Sequence, residues 1–209
     1  MLPPRGNPPD PRPPVNWQTT TVISTLYDRA VQSRTLAPIG ARALWNYDIS
    51  NLRRAIAAQD PNALTLDIPC GGGLAVDDNP HHVAADISHP MLTRARRRTS
   101  TLLQTDIYAL PFAPATFEAC VTYNGLHCLA DPPAALRELA RVLRPGGTLT
   151  GTTITTGTNR DPLIKLLQRL RIFGNPGTTT DLRTWLTSAG LTDIALTPSG
   201  AVTGFTARK

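Results

Sequence analysis

The sequence predicts an α/β fold: a mostly parallel, seven-stranded sheet flanked by helices, with its last strand antiparallel and a helical cap ahead of it. Three observations predict it. From Asn62 onward, short apolar runs alternate with stretches of helical periodicity, the pattern of repeated βα units. The first of these runs delivers straight into three consecutive glycines, Gly71 to Gly73. The last two runs are joined by Pro198-Ser199-Gly200, room for a hairpin but not for a crossover helix, so the final strand turns back along its neighbour.

Residues 1–14 hold seven prolines. Proline fixes φ and removes a backbone donor, so this arm is expected to be an extended or disordered lead-in. Residues 15–209 read as one domain, with a helical cap over 15–60, a core over 61–154, and a C-terminal half over 155–209 that carries an insert and the terminal hairpin. In the cap, Val22, Ile23, Leu26, Ala30 and Val31 mark the face of one helix. Ala43, Leu44, Leu52 and Ile56 mark the face of the next, with Pro38 and Gly40 between the two.

The expected strands are Leu64–Ile68, His82–Ala85, Leu102–Gln104, Ala119–Tyr123, Thr148–Ile154, Ile194–Thr197 and Val202–Ala207. A helix is expected to start at Asp131, a good N-cap with Pro132 behind it, and to bury Leu136, Leu139, Ala140 and Leu143. Arg144-Pro145-Gly146-Gly147 then turns the chain. Another helix starts near Asp161-Pro162 with Leu163, Leu166, Leu167 and Leu170, and a third runs from about Thr180 to Ala189, closed by Gly190.

Composition narrows the function. At 41% hydrophobic and 17% charged residues the chain is globular, and no apolar run approaches the length of a membrane span. The proline-rich start offers no apolar segment of the kind a secretory signal needs. Cys70, Cys120 and Cys128 show no metal-binding spacing, so we read them as reduced thiols and expect a cytoplasmic protein. His81 and His82 are adjacent and, in a strand, point to opposite faces, which argues against a metal site. The net charge of +6 invites a nucleic-acid partner, but the one dense run, Arg94, Arg96, Arg97 and Arg98, falls where an exposed helix end is expected and reads as a solvated face.

The most informative stretch is Leu64-Thr-Leu-Asp-Ile-Pro-Cys-Gly-Gly-Gly-Leu74, a buried-strand pattern running into a turn without side chains. In open α/β sheets ligands bind at the carboxyl ends of strands, where such a turn lets the backbone approach a polar group. The next strand ends at Asp86, nineteen residues beyond Asp67, where an acid can accept hydrogen bonds from ribose hydroxyls. A third acid, Asp106, closes the strand after that. A nicotinamide dinucleotide would use the same corner, but the third glycine of its Gly-x-Gly-x-x-Gly fingerprint is absent.

Taken in order, Leu66-Asp-Ile-Pro-Cys-Gly-Gly-Gly73, Ala85-Asp-Ile-Ser-His-Pro-Met-Leu92, Thr105-Asp-Ile-Tyr-Ala-Leu-Pro-Phe112, Thr116-Phe-Glu-Ala-Cys-Val121 and the stretch Leu136 to Leu149 resemble the class I SAM-dependent methyltransferases (SAM, S-adenosylmethionine). The nearest subgroup resembles small-molecule enzymes of the ubiquinone and menaquinone biosynthesis type. The resemblance implies a Rossmann-like sheet and SAM as cofactor. It places Asp67, Pro69, Cys70, Gly71 and Gly73 at the methionine part, Asp86 at the ribose, Asp106 and Ile107 at the adenine, Ile87 and Met91 on the adenine ring, and Asn124 and Gly125 along the cavity. Pro69 and Glu118 depart from the usual residues, and the segment from Gly73 to Asp86 is short, so the helix after the first strand is expected to be short or missing.

His127, after the fourth strand, is the candidate base, with a purely structural histidine as the alternative. Trp17, Tyr27, Trp45, Tyr47 and Phe173 are candidates to line an acceptor pocket, Tyr27 and Phe173 with His127 foremost. The expected partner is a small-molecule methyl acceptor taking the group on O, N or C, and the chain is expected to be a monomer or homodimer. An RNA or protein methyltransferase is the alternative enzyme, opposed by Tyr123-Asn-Gly-Leu126 where base-modifying enzymes usually carry an aromatic or Asn-Pro-Pro-Tyr-like motif. A catalytically silent SAM-fold binding domain is the remaining alternative.

Overall fold

The computed structural model describes residues 36–76, 78–99 and 101–209. Among them seven strands form one sheet: β1 Thr65–Asp67, β2 His82–Asp86, β3 Leu102–Gln104, β4 Phe117–Tyr123, β5 Leu143–Ile154, β6 Thr192–Ser199 and β7 Val202–Arg208. The spatial order is β3-β2-β1-β4-β5-β7-β6. All pairs from β3 to β5 are parallel, and β7 is antiparallel to both β5 and β6. The chain thus winds outward from β1 to β3 and returns to β4 on the other side of β1. That reversal makes the carboxyl ends of β1 and β4 the switch point of the sheet, the place where open α/β sheets bind ligands.

The helices are α1 Leu36–Trp45, α2 Ser50–Ala57, α3 His89–Ala95, α4 Pro132–Val142, α5 Asp161–Arg169 and α6 Thr179–Ser188, with a short 3-10 turn at Leu126–Cys128. On one face of the sheet Leu66, Ile68, Cys120, Leu149 and Phe205 pack against Leu136 and Leu139 of α4 and Leu182 and Leu186 of α6. Each such leucine contributes about 1.5–3 kcal/mol by leaving water. On the other face Val121, Tyr123, Ile154 and Val202 meet Leu52 of α2, Ile164 of α5 and Phe173. Strand period sends Cys120 to one core and Val121 to the other.

Helix starts follow their side-chain caps. Asp131 accepts the Ala134 N–H at 3.0 Å ahead of α4, and Thr178 and Asp181 form a reciprocal capping box on α6. Glu118 accepts the Leu64 N–H at 3.0 Å and pairs with Arg144, so it ties β1, β4 and β5 together at their entry.

The structure corrects the cap. Pro38 and Gly40 do not separate two helices; both lie inside α1, Pro38 in its first turn where a missing N–H costs nothing. The face drawn through Ala43, Leu44, Leu52 and Ile56 spans two helices, broken at Asn46 with φ +51°, and Leu44 is exposed. Likewise α5 buries Ile164 while Leu166 and Leu170 stay exposed. The pattern through Val22 to Val31, together with Trp17 and Tyr27, lies outside the described residues. Between β1 and β2 the described residues form turns with no helix. No described helix is long and apolar enough to cross a membrane.

Candidate active site

The corner after β1 is built by backbone. Ile68 and Cys70 extend the parallel pairing past Asp67, donating to Val121 O at 3.0 Å and Ala85 O at 2.8 Å. Gly71 and Gly73 then turn with φ +54° and +85°, a region that L side chains rarely enter. A Cβ on Gly71 would meet nothing within 4 Å, so the corner has an open side. Gly125, which begins the turn after β4, has Pro69 directly against the place a Cβ would take. The ends of β1 and β4 are thereby packed into one wall.

Asp86, at the tip of β2, joins that wall. Its Oδ2 accepts the Gly71 N–H at 2.9 Å and its Oδ1 the Ser88 N–H at 2.8 Å. Burial raises its pKa to about 6; the two backbone donors oppose the shift and the charge of Asp67 adds to it. Asp67 is buried too, its Oδ2 3.6 Å from His82 Nε2, and burial again lifts its pKa above the usual carboxylate range. Two buried acids beside a glycine corner, their carboxylates disfavoured by burial, suit a ligand that brings hydroxyl and ammonium donors to them.

The remaining predicted residues follow the neighbouring strand ends. Ile87 and the buried Met91 follow Asp86 into α3. Asp106 is exposed just past β3, where its Oδ1 accepts the Tyr108 N–H at 3.0 Å, and Ile107 beside it is buried. Asn124, with φ +55°, is fixed by Thr152, whose hydroxyl donates to Asn124 Oδ1 at 3.0 Å. Cys70 and Cys128 are driven above the usual thiol range by burial, Cys128 to about 12.

His127 lies inside the fold. It is 3% exposed, its Nδ1 accepts the Ile154 N–H at 3.3 Å, and Phe173 meets it edge to face at 4.5 Å between centroids. Burial pulls its pKa down to about 3, so it stays neutral and takes up no proton near neutrality. Phe173 is itself buried and stacks on Trp45 at 5.9 Å, in the cluster that also holds Tyr47. These rings pack together in the cluster that includes Ile154 of β5. Tyr27 lies outside the described residues.

Residues 66–150, which contain this wall, match a family model described as a methyltransferase domain. A demethylmenaquinone methyltransferase of Mycobacterium sp. (strain KMS) is 30% identical over 190 residues, covering 83% of this chain and 75% of the relative. The chain belongs to the class I SAM-dependent methyltransferases. A malonyl-[acyl-carrier protein] O-methyltransferase of Erwinia pyrifoliae is 39% identical over 111 residues, 50% of this methyltransferase and 42% of the relative. The fold matches a possible histamine N-methyltransferase from Thermotoga maritima with a TM-score of 0.73 at 16% identity, covering 92% of this chain and 99% of that one. The cofactor of this methyltransferase is SAM, and the open side of Gly71 beside a buried carboxylate fits it.

Three contacts of the methyltransferase are not legible in its sequence: His82 facing Asp67, Gln59 donating to the Tyr123 hydroxyl, and Arg98 donating to Gly73 O at 2.8 Å. The first and last attach to the corner itself. Each reaches over a distance in sequence that no local pattern encodes.

Proposed function

We propose that this methyltransferase transfers the methyl group of SAM to an oxygen, nitrogen or carbon atom of a small organic acceptor, acting as one domain over residues 15–209. The observation that carries the site is the Asp86 carboxylate, buried at a strand tip and bonded to Gly71 N at 2.9 Å beside the open side of the corner. Asp86 accepts the ribose hydroxyls. Asp67 and the turn Pro69, Cys70, Gly71 and Gly73 hold the methionine part, Asp106 and Ile107 meet the adenine, Ile87 and Met91 pack on its ring, and Asn124 and Gly125 line the cavity.

When bound, SAM supplies a methyl group made electrophilic by the sulfonium. The chain's contribution is then alignment, which supplies on the order of 7–11 kcal/mol in well-oriented systems. With His127 neutral and its Nδ1 engaged, no described histidine is assigned as base, and the acceptor is one that needs little proton removal or brings an acidic position of its own. The demethylmenaquinone methyltransferase relatives support a small acceptor.

Titration calorimetry with S-adenosylhomocysteine tests the first step, and Asp86→Ala is expected to lose most of the affinity. Incubation with methyl-labelled SAM and a panel of quinols, phenols and amines tests the second. Label entering RNA or protein, and none of the panel, would overturn the small acceptor.

A further inference from the structure

A helix that carries an apolar stripe normally turns it toward the core. In α5 the leucines Leu163, Leu166, Leu167 and Leu170 recur at the i, i+3, i+4, i+7 spacing that sets them on one side. The fold covers only part of that side. Ile164 is fully buried and Leu167 packs against the same cluster, whereas Leu166 and Leu170 remain 50% and 57% exposed. Among the described residues only Ile39, Leu44 and Tyr108 are comparable large apolar side chains left in water, so α5 concentrates two such residues one helical turn apart.

Cations lie beside these leucines. Lys165 and Arg169 are both exposed and four residues apart, which sets them one above the other on the flank next to Leu166 and Leu170. Neither forms a hydrogen bond or an ion pair with a described residue. Asp161, the acid of this helix, feels the charge of Lys165, but its Oδ1 is already taken by the Gly157 and Thr158 N–H groups, each at 3.0 Å. The exposed side of α5 therefore presents two leucines next to two cations.

Charge decides what such a surface takes. Residues 15–35 precede α1 outside the described residues, and their sequence holds Asp28 against Arg29 and Arg34. A second copy of the chain brings a net charge of +6. Neither complements Lys165 and Arg169. An anionic bilayer does, because an amphipathic helix lies in its interface with leucines among the acyl chains and with lysine and arginine reaching the headgroups. We propose that α5 docks this protein peripherally on an anionic membrane surface, Leu166 and Leu170 entering the interface while Lys165 and Arg169 pair with lipid headgroups. The helix follows the carboxyl end of β5, which runs parallel to β4, so docking is on the end of the sheet where the Gly71 corner lies. The proposal goes beyond the methyl-transfer reading and does not depend on it.

The test is co-sedimentation of the full chain with vesicles of phosphatidylcholine, alone or with phosphatidylglycerol. The wild type is expected to bind the anionic vesicles at low salt and to be released at about 1 M salt, where the screening length falls to about 3 Å. Each cation near an anionic surface strengthens binding about fivefold, so Lys165→Glu with Arg169→Glu weakens it about 25-fold or more. Leu166→Ser with Leu170→Ser weakens it about tenfold or more, with a melting temperature close to that of the wild type. Arg137→Glu, the same charge change on α4 across the sheet, keeps the binding. No binding, equal binding to both vesicles, or an equal loss in Arg137→Glu overturns the proposal. A melting temperature that falls in the leucine variant as far as in Ile164→Ser overturns it too, since the chain's own residues would then cover the stripe. So does a halved mass of that variant in light scattering, which would give the stripe to a second copy.

Discussion

Asp67 and His82 face each other on one side of the sheet, Oδ2 to Nε2 3.6 Å, although the parallel register sets His82 opposite Thr65 and Asp67 opposite Ala84. The imidazole therefore reaches along β2 toward the acid that ends β1. Burial disfavours the Asp67 carboxylate, and His82 is the group that opposes this. His82→Ala is expected to cost about 1–3 kcal/mol in urea unfolding. In the double variant with Asp67→Asn the loss is partly recovered, because no buried charge remains to be compensated. Strict additivity of the two substitutions would show that the pair is not coupled.

Asp86 trades stability for binding. An acid whose folded pKa is raised stabilises the fold most when both states are protonated, below the ordinary 3.8, and that contribution is lost as pH climbs to about 6. Over about two pH units this amounts to roughly 3 kcal/mol. Asp86→Asn keeps an acceptor for one backbone donor and removes the ionisation. Its melting temperature is expected to exceed that of the wild type at pH 8 and to approach it at pH 4, while the dissociation constant for S-adenosylhomocysteine rises at least tenfold. A variant that is no more stable at pH 8 would contradict the buried-charge account.

His127 acts in the opposite direction. A histidine whose folded pKa is lowered to about 3 leaves the protein stable above the ordinary 6.5 and is a loss as pH falls between the two values. Replacing it by Phe removes that proton uptake on unfolding, so stability between pH 6.5 and 4 is expected to fall less steeply than in the wild type. The same variant leaves the Ile154 N–H without its acceptor, at about 1–3 kcal/mol throughout the range. The pH dependence of kcat is expected to be unchanged, and a lost acid limb in that profile would return His127 to the role of base.

The strands and α4 were legible because their signals are local: the apolar runs bounded by Pro and Gly, and Asp131-Pro132 ahead of a buried leucine stripe. The corner was legible for the same reason, since Gly71 to Gly73 and Asp86 mark a turn and a strand tip. The cap is less legible because Pro38 and Gly40 look like breakers in the sequence, although the first turn of a helix tolerates proline and Gly40 has nothing within 4 Å of the place a Cβ would take. His127 was legible as present after β4 but not as buried, because its burial depends on Phe173, which the chain brings back from 46 residues downstream. Arg98 sits in a run that sequence alone assigns to solvent, and only the fold shows that it reaches back to Gly73 O.

The contact between Gly125 and Pro69 gives the most direct test of how tightly the ends of β1 and β4 must meet. A Cβ on Gly125 would run into the Pro69 ring, with the Thr122 hydroxyl 3.4 Å away on the other side. The proline ring cannot rotate aside as a flexible chain would, so Gly125→Ala pushes the Pro69 turn off the end of β4. Overpacking of this kind costs about 1–3 kcal/mol. The displaced turn carries Gly71, whose N–H is bonded to Asp86, so the proposed cofactor site is expected to shift with it. S-adenosylhomocysteine affinity is expected to drop at least tenfold in calorimetry while the far-ultraviolet circular dichroism stays that of the wild type. Pro69→Ala in the same chain opens the space again and is expected to restore part of the binding. If Gly125→Ala binds as tightly as the wild type, the two strand ends are not the rigid wall that positions the cofactor.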